Sequence, residues 1–271
     1  MTQALHHAPL PDRSLIAVAG EDWRSFLQGL LTQDVDTLAP GEARFAALLT
    51  PQGRLLYDLF LVGREDGAWI EVAAEHRAAL IQRLTLYRLR AKVTIAADEA
   101  AVSAAWGGEP EGAGFVRDPR RPELGWRGYG AQAPMTATTA DYEAWRLSLG
   151  VPGPADWGTE KTYPIEADFD LLNGIDFKKG CFVGQETTSR MKRRGTVKSR
   201  MAPIVFEGPA LAFGAEVLAG DLRAGEVLSG VDGRAMALLR LDRIGAGGLT
   251  VDGRPVRAEL PDWIPAFAEA G

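Results

Sequence analysis

The sequence predicts an α+β fold built on antiparallel strands, followed by a small β-barrel. Three observations predict it. The first hundred residues alternate strand and helix patterns in the order β-α-β-β-β-α-β. Two apolar runs, ARFAALLT (43–50) and RLLYDLFLV (54–62), are separated only by Pro51, Gln52 and Gly53, a hairpin's length. After Lys198 the texture changes to short strands spaced by glycines, such as APIVFEG, AEVLAG and RAMALLRL.

The elements follow in order. SLIAVA (14–19) reads as a buried strand ending at Gly20. In the next segment Trp23, Phe26, Leu27, Leu30 and Leu31 recur at helical spacing, with Glu21 and Asp22 suited to a first turn. The hairpin comes next, then the strand AWIEVA (68–73) and a helix over 74–89 with Leu80, Ile81, Leu84 and Tyr87 on one side. KVTIAA (92–97) is a further strand. Residues 107–140 are rich in Gly, Pro and Thr and predict one or two short strands. DYEAWRLSLG (141–150) is a short helix stopped by Gly150 and Pro152. The expected division is an α+β region over 1–197, made of two interleaved subdomains, and the barrel over 198–271.

Composition excludes several functions. The 271 residues carry a net charge of −6, so the chain as a whole is no general nucleic-acid binder. One cysteine rules out an internal disulfide framework. The three histidines are His6, His7 and His76, and the first two fall in a polar, loose N-terminal lead. A self-contained metal or iron–sulfur site is not expected from so few ligands. A serine-hydrolase triad and a phosphate-binding glycine loop find no support either. No apolar run is long enough to span a bilayer, and the N-terminus lacks the pattern of a secretory signal. The expectation is a cytoplasmic protein without a membrane partner.

The chemistry concentrates in DFKKGCFVGQETTSRMKRRG (176–195), which holds the single cysteine. Between 176 and 200 stand eight lysines and arginines against Asp176 and Glu186. Such a block is either a solvated face or an anion site. Gly184 precedes good helix formers, which puts Cys181 near a helix N-terminus with Lys178 and Lys179 beside it. Positive potential of that kind favours thiolate over thiol. The competing reading is a small apolar filler of the core.

The stretch KGCFVGQE resembles the K-G-C-[FY]-x-G-Q-E signature of the YgfZ family, carried here by Lys179, Gly180, Cys181, Gly184, Gln185 and Glu186, with Arg190 beyond them. FLQGLLTQDV (26–35), ALLTPQGRLLYDLFL (47–61), WRLSLGVPG (145–153) and YPIEADFDLLNGIDFKKGC (163–181) resemble further parts of that family. The resemblance covers nearly the whole chain, is weakest at 100–140, and is closer to the shorter members, the mitochondrial relative included. It implies an aminomethyltransferase-like fold that binds a tetrahydrofolate. It also implies an accessory role in iron–sulfur cluster assembly, with client or carrier proteins as partners.

Site residues follow from the same resemblance. Asp58 occupies the position of an acid that lies near the reacting folate nitrogens in the methyltransferase relatives. Strand alternation places it with Leu56 and Phe60, opposite Tyr57 and Leu59. Glu166 is a candidate acceptor for pterin N–H groups. Tyr142 and Trp145 are candidate stacking rings, and Arg190 or Arg194 a candidate carboxylate clamp. Ser148 stands where many methyltransferase relatives carry a glutamate. Cys181 is then the working thiol. The alternatives are a folate-dependent one-carbon transferase using Asp58 and, third, a tRNA-modification accessory using the basic block as an RNA surface.

Overall fold

Local pairing sets the architecture, because every strand pair among the described residues is antiparallel. The computed structural model describes residues 4–158, 160–195, 197–246 and 248–264. The chain opens with β1 (His6–Pro9), β2 (Arg13–Ala19), α1 (Trp23–Gln28), β3 (Ala43–Leu49), β4 (Leu55–Arg64) and β5 (Gly67–Ala73). Then come α2 (Arg77–Arg88), β6 (Thr94–Asp98), β7 (Val102–Trp106), β8 (Phe115–Arg117) and β9 (Trp126–Tyr129). After α3 (Thr139–Ser148) the chain runs through turns to α4 (Gln185–Arg194). The last six strands are β10 (Ser199–Phe206), β11 (Glu216–Ala219), β12 (Leu222–Val231), β13 (Arg234–Arg240), β14 (Leu249–Val251) and β15 (Arg254–Ala258).

These strands make three sheets: a five-stranded one ordered β3-β4-β5-β2-β6, a four-stranded one ordered β1-β7-β9-β8, and a closed barrel ordered β10-β13-β12-β11-β14-β15. One face of the five-stranded sheet packs Leu59, Leu61, Ile70 and Val72 under Leu27, Leu80 and Leu84 of the two helices. The other face packs Phe45, Ala47 and Phe60 against Ile165, Phe169, Met201 and Met236. The sheet is therefore covered on both sides, which explains why β4 is buried along nearly its whole length.

The structure departs from the sequence reading in four places. Helix α1 is short, since Gly29 closes it and Leu31 instead forms an isolated bridge to Leu48. Tyr87 is exposed rather than on the packed side of α2. The N-terminal lead is ordered: β1 pairs with β7, and the buried His7 ring bonds Ser103 Oγ at 2.9 Å and the Pro134 carbonyl at 3.1 Å. Finally, the β3–β4 register shifts, with Leu48 opposite Tyr57 and Leu49 opposite Leu55. That bulge turns Leu56 into the helix-covered core with Tyr57 and Leu59, away from the face of Asp58.

Candidate functional site

Strand register builds the cavity that holds Asp58. Leu15, Glu71 and Phe60 lie in one row across β2, β5 and β4. Two-residue alternation then sets Arg13 and Asp58 on the same face as Glu71 and Phe60. From the opposite side come Arg127 of β9, Arg120 of the preceding loop, and Tyr142, Glu143 and Arg146 of α3. Together they line a cavity of about 460 Å³, of the size that small-molecule sites usually have.

Its floor is an ion-pair network. Arg13 donates from Nη1 to Asp58 at 2.8 Å and from Nε to Glu71 at 2.6 Å. Arg127 donates from Nε to Glu71 at 2.8 Å and from Nη2 to the other oxygen, and Tyr129 Oη adds a bond at 2.7 Å. Burial alone would hinder ionisation of Glu71. The guanidiniums of Arg127 and Arg13 outweigh it and hold the carboxyl down at about 2. Arg120 is paired with Asp118 and bonds Tyr142 Oη at 2.9 Å. The Phe60 ring lies under Arg127 at 4.0 Å and Arg120 at 4.9 Å. One donor is left over: Arg13 Nη2 is buried without a partner.

Helix α3 is fixed by its own cap. Thr138 and Asp141 exchange the reciprocal bonds of a capping box. One turn on, Arg146 bonds Glu143 at 2.6 Å and Asp156 at 3.2 Å, and Asp156 in turn accepts from Ser229 of the barrel. The cavity wall is thus tied to all three sheets.

The signature segment lies elsewhere on the chain. Cys181 is exposed and stands three residues before the N-cap Gly184, outside α4. The buried Phe182 anchors the loop in the core beside it, and a side chain at Gly180 would meet open space. Lys179 does not offer a free charge to the sulfur. Its Nζ donates to the carbonyls of Gln28 and Leu31 at 2.7 Å and Gln33 at 2.9 Å, which uses all three of its donors. Burial pushes this amine down to about 8, partly offset by Asp34, Asp176 and Asp36. Gly184 and Gly53 touch, so the β3–β4 turn sits directly on the start of α4. Gln185 is half-buried there and Glu186 is exposed.

Of the expected folate contacts, the structure brings Asp58 and Tyr142 into one cavity. Tyr142 is buried, with its hydroxyl bonded to Arg120 and its ring 5.7 Å from that of Trp106. The others do not line that cavity. Glu166 caps its own turn through Tyr163 N at 3.0 Å, and desolvation raises its pKa. Trp145 bonds the Glu123 carbonyl at 3.2 Å. Arg190 and Arg194 lie exposed on α4. Ser148 bonds back to the Trp145 carbonyl at 2.7 Å, whereas Glu143, a little over one turn earlier, faces the cavity. The basic block divides as well, because Arg200 is buried against Asp168 at 2.7 Å and Asp170 at 2.9 Å.

Sequence reading missed Arg13, Glu71, Arg120, Arg127 and Arg146. The available signal was a charge set inside an apolar run, as Glu71 is in AWIEVA. Such a residue needs a partner when buried, but its partners come from strands distant in sequence.

Comparison with known proteins places these features. Residues 198–266 match the CAF17 C-terminal β-barrel domain. The chain is 32% identical to the human mitochondrial iron–sulfur cluster assembly factor IBA57 over 96% of its own length and 85% of that protein's. It is 38% identical to the mitochondrial IBA57 homologue of Phaeosphaeria nodorum over 73% of its length, and so spans 55% of that longer relative. The fold is that of the glycine cleavage system aminomethyltransferase T from Bartonella henselae, with a TM-score of 0.76 at 18% identity, covering 97% of this chain and 87% of that one. The curated relatives carry the IBA57 name rather than that of YgfZ. They are also named mitochondrial, which overturns the expectation of a cytoplasmic protein.

Proposed function

The chain belongs to the IBA57 family of iron–sulfur cluster assembly factors, and we propose that it serves the maturation of [4Fe–4S] proteins together with a client or carrier protein. The observation that carries this reading is 32% identity to a named assembly factor along 96% of the chain. The cluster is cargo in this scheme. One thiol cannot hold a cluster alone, so Cys181 meets it, or a thiol, on the partner. Its exposure and the Phe182 and Lys179 anchors beside it support that role.

We further propose that a tetrahydrofolate occupies the cavity beside Asp58. The unpartnered Arg13 Nη2 calls for an acceptor, and the ring lactam or the carboxylate tail of a folate supplies one. Asp58 would accept from the ligand's N–H groups, and Phe60 and Tyr142 offer apolar wall. When bound, such a group supplies one-carbon chemistry at its ring nitrogens. What this chain's residues do is bind and orient it. The one-carbon transferase alternative gains nothing from the aminomethyltransferase likeness, which at 18% identity speaks for the fold alone. Asp58 already has one oxygen bonded to Arg13, which counts against its serving as a free base. The RNA alternative is weakened by the burial of Arg200 and the engagement of Lys179.

The test is genetic and biochemical. Cells lacking the protein are expected to lose activity of [4Fe–4S] enzymes and regain it on re-expression. Unchanged enzyme activity in those cells overturns the assembly reading. Separately, purified protein is expected to bind tetrahydrofolate, and Asp58→Ala to weaken that binding. No binding by the wild type overturns the folate part alone.

A further inference from the structure

The C-terminal end of α2 presents an apolar tip that nothing among the described residues covers. Leu86 is 70% exposed and Leu89 87% exposed, with Tyr87 beside them at 37%. Leu86 and Leu89 are three residues apart, so they fall on one stripe of the helix end, opposite Leu80 and Leu84 in the core. Leu89 also has φ +46°, a left-handed backbone that a leucine adopts at a cost. A glycine would remove both the strain and the exposed side chain.

Charge says what this tip faces. Toward this end of the helix the chain holds Arg83, Arg88 and Arg90 and, from Arg77 to Ala97, no acid, whereas Arg77 lies at the far end of α2 and pairs with Glu99 at 3.1 Å. Arg88 and Arg90 are exposed and flank Leu89 directly. Lys92 is paired with Glu21 at 2.6 Å, and Asp22 accepts from the Lys92 backbone N–H at 2.8 Å, so both nearby acids are engaged on that residue. The leucines stand out from the surface rather than lining any of the cavities described. Protruding apolar side chains flanked by two exposed arginines suit a deformable anionic interface better than a preformed protein groove.

We propose that the tip formed by Leu86, Tyr87 and Leu89 with Arg88 and Arg90 docks the protein peripherally on a bilayer surface rich in anionic lipid. No helix of the described residues is long and apolar enough to cross a membrane, so the contact is interfacial. It lies at and just beyond the end of α2, and none of its residues lines the cavity beside Asp58.

The experiment is sedimentation of the full chain with two kinds of vesicle, phosphatidylcholine alone and phosphatidylcholine mixed equally with phosphatidylglycerol. Wild type is expected to sediment with the mixed vesicles only, less so as salt rises. The double variant Leu86→Ser, Leu89→Ser is expected to lose binding about tenfold or more while melting as a folded protein. Leu89→Gly is expected to melt higher than wild type yet bind vesicles less. The proposal is overturned if wild type ignores the anionic vesicles, or if the double variant binds them as well as wild type. It is equally overturned if the tip instead mediates a dimer that the double variant abolishes.

Discussion

Arg13 on β2 reaches across β5 to bond Asp58 on β4 at 2.8 Å, while its Nε bonds Glu71 on the strand between. One guanidinium thus ties three neighbouring strands beneath the cavity. Replacing it by methionine keeps the stem and leaves Asp58 without its ion-pair partner. Arg13→Met is expected to cost roughly 3 kcal/mol in a urea titration, since breaking a buried pair strands its other member. Tetrahydrofolate binding is expected to fall with it. A variant as stable as wild type would show that the network is not what holds the cavity floor.

Acid should loosen the same network. Glu71 titrates at about 2 in the fold against an ordinary 4.5. A depressed carboxylate adds stability that is complete above about pH 4.5 and is lost as pH falls toward 2. The amount is roughly 3 kcal/mol. Glu71→Gln should be less stable at neutral pH and should show a flatter decline across that window. A decline of unchanged slope in the variant would assign the acid sensitivity to other groups.

Lys179 holds the thiol's loop to the end of α1. Lys179→Met is expected to leave Gln28, Leu31 and Gln33 carbonyls without their donor, at roughly 2 kcal/mol. Amide exchange over 176–183 should accelerate while the barrel strands stay protected. Equal exchange in variant and wild type would place the anchoring in Phe182 alone.

Gly184 has φ +80°, and a Cβ there would stand 2.6 Å from the Thr50 carbonyl. Gly184→Ala is expected to push the β3–β4 turn off the start of α4 and to lower stability by roughly 2 kcal/mol. Thermal unfolding measures it. Gly180→Ala, with open space around it, is the control expected to unfold nearly as wild type.

Much of this fold was legible because its signals are local. The hairpin is written in PQG between two apolar runs, and the barrel in its glycine spacing. What escaped depends on contacts distant in sequence. β1 pairs with β7 through His7 and Ser103, a partnership no window of neighbouring residues contains. The bulge that re-aims Leu56 reflects register with β3, not the composition of β4. The site divides in the same way. KGCFVGQE singles out Cys181 as a candidate from the sequence alone, whereas Arg13, Glu71 and Arg127 come together only when three sheet positions converge.

The central claim is that an exposed thiol serves cluster assembly. The direct measurement is the activity of a [4Fe–4S] enzyme in cells lacking the protein, supplied with wild type or Cys181→Ser at equal expression. Wild type is predicted to restore activity and the serine variant to fail, although its melting temperature matches wild type. Full restoration by Cys181→Ser would contradict the account and leave the family's role to some other part of the chain.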